Sequence, residues 1–196
     1  VGTGMIGAVH HRAALLAGAE IRGVAASSPQ RARDVAQAWG VPIYVALGAA
    51  RDQIRAYASG GWAPGDEAEA EMGGYAKKGF NAVKMRVVGR DGFSIEKTLR
   101  RVAAARRGIG PDVELMVDAH GCMDVSTARR LADALEEYDI AWFEEPISPD
   151  DHPGLAEVRR STTIPIASGE REFTRFDFQS LFEHRAVDKI GRASGR

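Results

Sequence analysis

Three acidic residues stand where short apolar runs end: Asp118 in "MVDAHG", Glu144 in "WFEEP" and Glu170 in "IASGE". They are equally spaced, 144 − 118 = 26 and 170 − 144 = 26. If each run is a strand of one parallel sheet, three carboxylates converge at its C-terminal end, roughly 5 Å apart per strand. Carboxylates packed so closely repel, and some stay protonated at neutral pH. A hard divalent cation removes that conflict. Three carboxylate oxygens with water and substrate suit octahedral Mg2+. Singly, each acid also reads as an ordinary acidic residue at a helix start, favoured by the helix dipole. Equal spacing on three consecutive strands favours the metal site.

Two cations accompany them. In "VKMRV" (83–87), strand alternation points Lys84 and Arg86 to the same side. Inward cations in an apolar run are costly unless anions face them. The carboxylates or a bound substrate acid would serve, and a salt-bridged interior with no catalytic role fits the same pattern. A separate signal opens the chain. "VGTGMIG" (1–7) reads G-x-G-x-x-G through Gly2, Gly4 and Gly7, a turn that can approach a dinucleotide pyrophosphate.

The elements that must position these residues fall into two rhythms. Residues 1–41 read as strand end, glycine turn, helix to Ala17, the strand "EIRGVAA" (20–26), and a helix from Ser28–Pro29 to about Trp39, stopped by Gly40. From Arg55 onward, apolar runs recur at 54–59, 80–88, 113–119, 140–145, 163–168 and 186–190. Helical spacing appears between them, over Thr98–Arg107 and Val125–Tyr138, and Pro153 suits the first turn of another helix. Such strand–helix units imply parallel strands joined by crossover helices. Periodicity does not choose between a barrel and an open sheet. A closed barrel of this kind needs eight strands in about 250 residues. Six candidate strands therefore make an incomplete one.

Composition narrows the classes. The chain has 196 residues and a net charge of −1, so no bulk attraction to nucleic acid or membrane is indicated. The basic pairs Arg100–Arg101 and Arg106–Arg107 read as solvated helix faces. Cys122 is the single cysteine, which excludes an intrachain disulfide and fits a reducing cytoplasm. No apolar run is long enough for a membrane span, and no signal-peptide pattern opens the chain. A first residue of Val points to a processed or incomplete chain.

Residues from about 42 to 190 resemble the enolase superfamily, and within it the mandelate racemase-like acid-sugar dehydratases. The resemblance rests on "GAARDQIRAYASGGW" (48–62), "AVKMRV" (82–87), "VDAHG" (117–121), "WFEEP" and "IASGE". It implies a barrel whose Mg2+ ligands are Asp118, Glu144 and Glu170, acting on a sugar acid or another α-hydroxy carboxylate. Chemistry in that family begins by removing the proton α to a carboxylate. Metal and cations stabilise the enediolate, and a dehydratase then expels a β-hydroxyl with general-acid help. Two positions depart from the pattern. Arg86 stands where a lysine base is usual, and arginine is a poor proton acceptor, so Arg86 with Lys84 beside it is expected to stabilise charge. His120 stands where Asn is usual and reads either as a substrate-contacting general acid or as a structural histidine. The family's further Asp–His pair, from its sixth and seventh strands, and its N-terminal capping domain are not recognised here. The isolated chain is accordingly expected to show little activity. Specificity in the family comes largely from those same regions, so the particular acid is not legible.

The first 41 residues are similar instead to the glucose–fructose oxidoreductase and inositol dehydrogenase family. That likeness implies NAD(P) against Gly2, Gly4 and Gly7, and an oxidoreductase as the alternative function. The acidic residue expected about 20 positions past the turn is replaced by Ala26, Ser27 and Ser28. "GVPIY" (40–44) fits either family. The sequence is read as two unrelated fragments joined there, with a natural fusion as the other reading. A third possibility is a non-catalytic remnant that self-associates through exposed barrel edges.

Overall fold

The computed structural model describes residues 55–190 together with positions 30, 33, 34, 37, 38 and 40. The chain divides into two compact units, Val1–Arg55 and Ala56–Arg196. In the first, positions 30, 33, 34, 37 and 38 are helical and exposed. Gln30 Nε2 donates to Asp34 Oδ1 at 2.9 Å, and Gly40 turns with φ +64°. These positions agree with a helix stopped by Gly40. The glycine turn of Gly2, Gly4 and Gly7, and with it the expected dinucleotide-binding fragment, lies outside the described residues.

The second unit alternates strand and helix throughout. Its elements are β1 (Ala58–Gly60), α1 (Glu67–Lys77), β2 (Ala82–Arg86), α2 (Ile95–Ile109), β3 (Glu114–Asp118), α3 (Val125–Leu135), β4 (Ile140–Glu144), α4 (His152–Arg160), β5 (Ile166–Ser168), α5 (Arg175–Glu183) and β6 (Lys189–Ile190). All strand pairs are parallel, in the order β1-β2-β3-β4-β5-β6. A doubly wound sheet reverses its strand order at a switch point. Unbroken sequential order is consistent with part of a TIM-type barrel.

Four of the five helices described in this unit begin at a side-chain cap, and α1 does not. Ser94, Asp124 and Asp151 each accept from the backbone N–H three residues on, at 3.1, 2.7 and 2.9 Å. Thr174 and Asp177 form a reciprocal capping box at α5. The helical pattern expected to reach Tyr138 tightens to a 3-10 turn over Glu136–Tyr138, ended by Asp139 at φ +51°. Apolar faces of these helices bury Val83, Met85, Leu115, Val117 and Phe143 from one side of the sheet. Helices α1 and α2 meet at backbone distance: a Cβ on Gly73 would lie 2.8 Å from the Gly108 carbonyl oxygen.

One expectation fails in α2. Arg100 and Arg107 do lie on the solvated face, paired with Asp66 and Glu69. Arg101 is fully buried and Arg106 is partly so. Consecutive helical residues point about 100° apart, so a basic pair straddles the boundary between face and core. Arg101 donates to the carbonyls of Ala63 (2.9 Å), Val87 (2.8 Å) and Gly61. Glu71 accepts from the N–H groups of Gly61, Trp62 and Ala63 at 3.0, 3.3 and 2.7 Å. Together they tie down the chain that leaves β1 and β2 at their C-terminal ends.

Candidate active site

Register brings the sequence-selected residues of β2, β3 and β4 side by side. Arg86 pairs with Asp118, and Asp118 with Glu144. Lys84 and Arg86 reach the same face, as alternation requires. Lys84 Nζ donates to Glu144 Oε2 at 2.6 Å and lies 3.4 Å from Asp118 Oδ2. Arg86 Nη1 donates to Asp118 Oδ2 at 3.0 Å. Lys84, Asp118 and Glu144 are all buried. Burial by itself would lower the Lys84 pKa. The Glu144 hydrogen bond and the charges of Glu144 and Asp118 outweigh it and hold the ammonium above its ordinary value. Trp142 Nε1 also donates to Glu144 Oε2, at 3.2 Å.

Glu170 does not sit in that row. The ladder pairs Glu144 with Ala167, and β5 ends at Ser168. Gly169 then turns with φ +128°, so Glu170 lies three positions beyond the register partner of Glu144. Equal spacing in sequence is therefore not equal height on the sheet. Glu170 stands instead with His120 and Glu145, one ligand atom of each lying within 4.8 Å of the others. His120 Nδ1 is 3.5 Å from Glu170 Oε1 and 3.9 Å from Glu145 Oε2. Arg171 Nε approaches Glu145 Oε2 at 3.5 Å.

Glu145 is the site residue that sequence reasoning missed. Alternation would send it to the face opposite Glu144. The chain leaves strand geometry there, with φ +40°, and the carboxylate turns toward His120. It is 1% exposed, and neither oxygen accepts a hydrogen bond from the described residues. Burial is the main cause that raises its pKa to about 7. The charges of Glu170, Asp118 and Glu144 add to the rise, and Arg171 opposes it. The doubled acid of "WFEEP" is the only signal that could have pointed to it. His120 is exposed, also has a left-handed φ of +53°, and its N–H donates to Asp118 Oδ1 at 3.0 Å. Beside Glu144, a cleft of about 470 Å3 is lined by Tyr57, Trp142, Ala167, Lys189 and Ile190.

Residues 67–193 match the model of the family described as "Enolase C-terminal domain-like". The chain belongs to this family. D-galactarolactone cycloisomerase of Agrobacterium fabrum is 35% identical over 156 residues, covering 76% of this chain and 40% of that protein. Arabinonate dehydratase of Saccharolobus solfataricus is 32% identical over 153 residues, with coverages of 76% and 40%. Among solved structures, a putative dehydratase from Zymomonas mobilis superposes with a TM-score of 0.75 at 31% identity, over 83% of this chain and 48% of that one. The chain thus spans about two fifths of the length of these curated relatives.

Enolase-superfamily relatives imply Mg2+, and the residues of this member fit a hard cation. Asp118, Glu144, Glu145 and Glu170 offer oxygen donors only, the donor type such ions prefer. Four carboxylates face three permanent cations, Lys84, Arg86 and Arg171. The bond-less buried carboxylate of Glu145 marks the place where positive charge is short.

Proposed function

We propose that this chain carries the metal-binding and charge-stabilising face of a Mg2+-dependent sugar-acid dehydratase, with Asp118, Glu144 and Glu170 as cation ligands. The observation that carries this reading is the buried Lys84–Asp118–Glu144 cluster, joined by Arg86, at the C-terminal ends of three consecutive strands. Family relatives named as dehydratases support the substrate class. When bound, Mg2+ would supply positive charge opposite the substrate carboxylate and the enediolate oxygens.

The chain's own groups then divide the remaining work. Lys84 stays protonated between its two carboxylates, so it acts as a fixed charge and not as a base. Arg86 presents a forked cation that no physiological pH removes. Both are aimed at the end of the sheet where the enediolate's negative charge grows, and their value is greatest where burial weakens solvent screening. His120, exposed at the rim, is placed to give a proton to the departing β-hydroxyl. The α-proton must go to a base other than Lys84, Arg86 and His120; its loss with the β-hydroxyl, one water in sum, leaves an enol that tautomerises to a 2-keto-3-deoxy acid.

Two measurements on the chain test this. Mg2+ titration by calorimetry should give one saturable site that Asp118→Ala removes. With Mg2+ and a panel of pentonates and hexonates, the low turnover expected of this chain should appear as traces of 2-keto-3-deoxy acid, detected as its semicarbazone, and His120→Ala should lower it further. Mg2+ binding unaffected by Asp118→Ala would overturn the ligand assignment. Isomerised or lactonised product without water loss would overturn the dehydratase assignment in favour of a cycloisomerase.

A further inference from the structure

Glu170 sits on the loop between β5 and α5, beyond the reach of the strand ladder. Its neighbours divide the anchoring. Arg171 extends toward the site, to Glu145 Oε2 at 3.5 Å and the His120 carbonyl at 3.4 Å. Glu172 makes its contact with α4 and is 5% exposed. A carboxylate buried to that degree needs partners. Its partner is His152, the first residue of α4, itself 8% exposed. His152 Nε2 is 3.2 Å from Glu172 Oε1, and Nδ1 is 2.8 Å from Ser180 Oγ in the middle of α5. A carboxylate only accepts, so Nε2 carries the proton toward Glu172, and in the neutral ring Nδ1 accepts from the Ser180 hydroxyl. Both ring nitrogens are used, and one imidazole joins α4, α5 and the loop between β5 and α5.

We propose that His152 is a positioning residue for divalent-cation binding: by holding the buried Glu172 carboxylate it fixes the loop that presents Glu170. The inference rests on the reading of Glu170 as a cation ligand. Partners one step removed from metal ligands typically cost 10–100-fold in affinity when lost. His152 differs from such partners in gripping the loop two residues away and not the ligand itself, so the lower end of that range applies.

The test is Mn2+ binding to the whole chain, followed by the loss of the free-ion electron paramagnetic resonance signal. His152→Ala should weaken binding about tenfold. His152→Gln retains an amide N–H where Nε2 stood and should recover most of that loss. His152→Asn retains a polar group only on the Ser180 side and should not. Ser180→Ala leaves the His152–Glu172 contact intact and should shift affinity less than about threefold, the scale of one modest hydrogen bond. If His152→Ala fails to fold, the Gln and Asn pair carries the same comparison. Unchanged Mn2+ affinity in His152→Ala, or equal losses in the Gln and Asn variants, overturns the proposal even if melting temperature falls. Failure of the underlying site looks different: a wild-type chain with no saturable Mn2+ site, or with affinity unmoved by Asp118→Ala, removes the site and the inference together.

Discussion

On the β2–β4 side of the sheet's end, each carboxylate has a cation at hydrogen-bond distance: 2.6 Å for Lys84 to Glu144 and 3.0 Å for Arg86 to Asp118. On the β5 side the corresponding approaches are 3.5 Å or longer, and Glu145 accepts no hydrogen bond. The first group stands on three strands in register. The second stands on residues that have left strand geometry, His120 and Glu145 at positive φ and Glu170 past the end of β5. Regular backbone allows charges to be matched at close range. Irregular backbone leaves charge unmatched, and that is where a cation has most to offer. One half of the face has its charges matched by the protein alone, and the other is left short of positive charge.

The comparison breaks most sharply at Lys84. Among the described residues, Lys84→Met would leave Asp118 with Arg86 as its one cation, beside the His120 N–H, and Glu144 with the Trp142 N–H. Removing one partner of a buried pair costs about 3–5 kcal/mol, because the remaining charge stays buried. Urea unfolding should show a loss of that order. A loss under about 1 kcal/mol, the range of an exposed pair, would mean that the β2–β4 side is solvated after all.

Glu145→Gln should have the opposite sign. Its folded pKa of about 7 lies above the ordinary carboxyl value of 4.5. Protonated Glu145 is tolerated in the core and the ionised form is not. Its contribution is therefore fully present below about pH 4.5 and lost as pH rises through 7. In metal-free protein, Glu145→Gln should gain up to about 3 kcal/mol over wild type at pH 8 and nothing at pH 4. Thermal melts at the two pH values in chelator check this. A variant less stable than wild type at pH 8 would show that the β5 side is satisfied as it stands.

Much of this contrast was legible in the sequence, but only on its regular side. Alternation in "VKMRV" places Lys84 and Arg86 on one face, and the 26-residue spacing aligns Asp118 with Glu144. Both inferences assume that the chain keeps its period, and it does over Lys84–Arg86, Met116–Asp118 and Trp142–Glu144, past a register shift between Leu115 and Met116. The same assumption mislays Glu170, because β5 closes at Ser168 before the count is complete. It also hides Glu145, whose side chain is redirected by one backbone dihedral. Arg101 was misread as solvated, since a basic pair does not reveal which member faces the core. The His152–Glu172 contact joins a helix start to a loop 20 residues on. No period links the two, and only the packing of α4 against the β5–α5 loop brings them together.

The smallest effect tests how the matched side shares its bonds. Glu144 Oε2 accepts from both Lys84 Nζ and Trp142 Nε1. Trp142→Phe keeps an aromatic ring against Tyr57, whose centroid lies 5.8 Å away edge-to-face, and beneath Lys189 at 5.1 Å. Only the N–H is lost, so the expected cost is about 1 kcal/mol. With Lys84 present, Glu144 still has its strongest donor. In a Lys84→Met background the indole N–H is the remaining donor to that oxygen among the described residues, and its loss should cost about twice as much. A double-mutant cycle reads the difference directly, because groups sharing one acceptor do not add. Strict additivity would mean that the two donors act on Glu144 independently, and that the close matching on the β2–β4 side comes from the Lys84 charge alone.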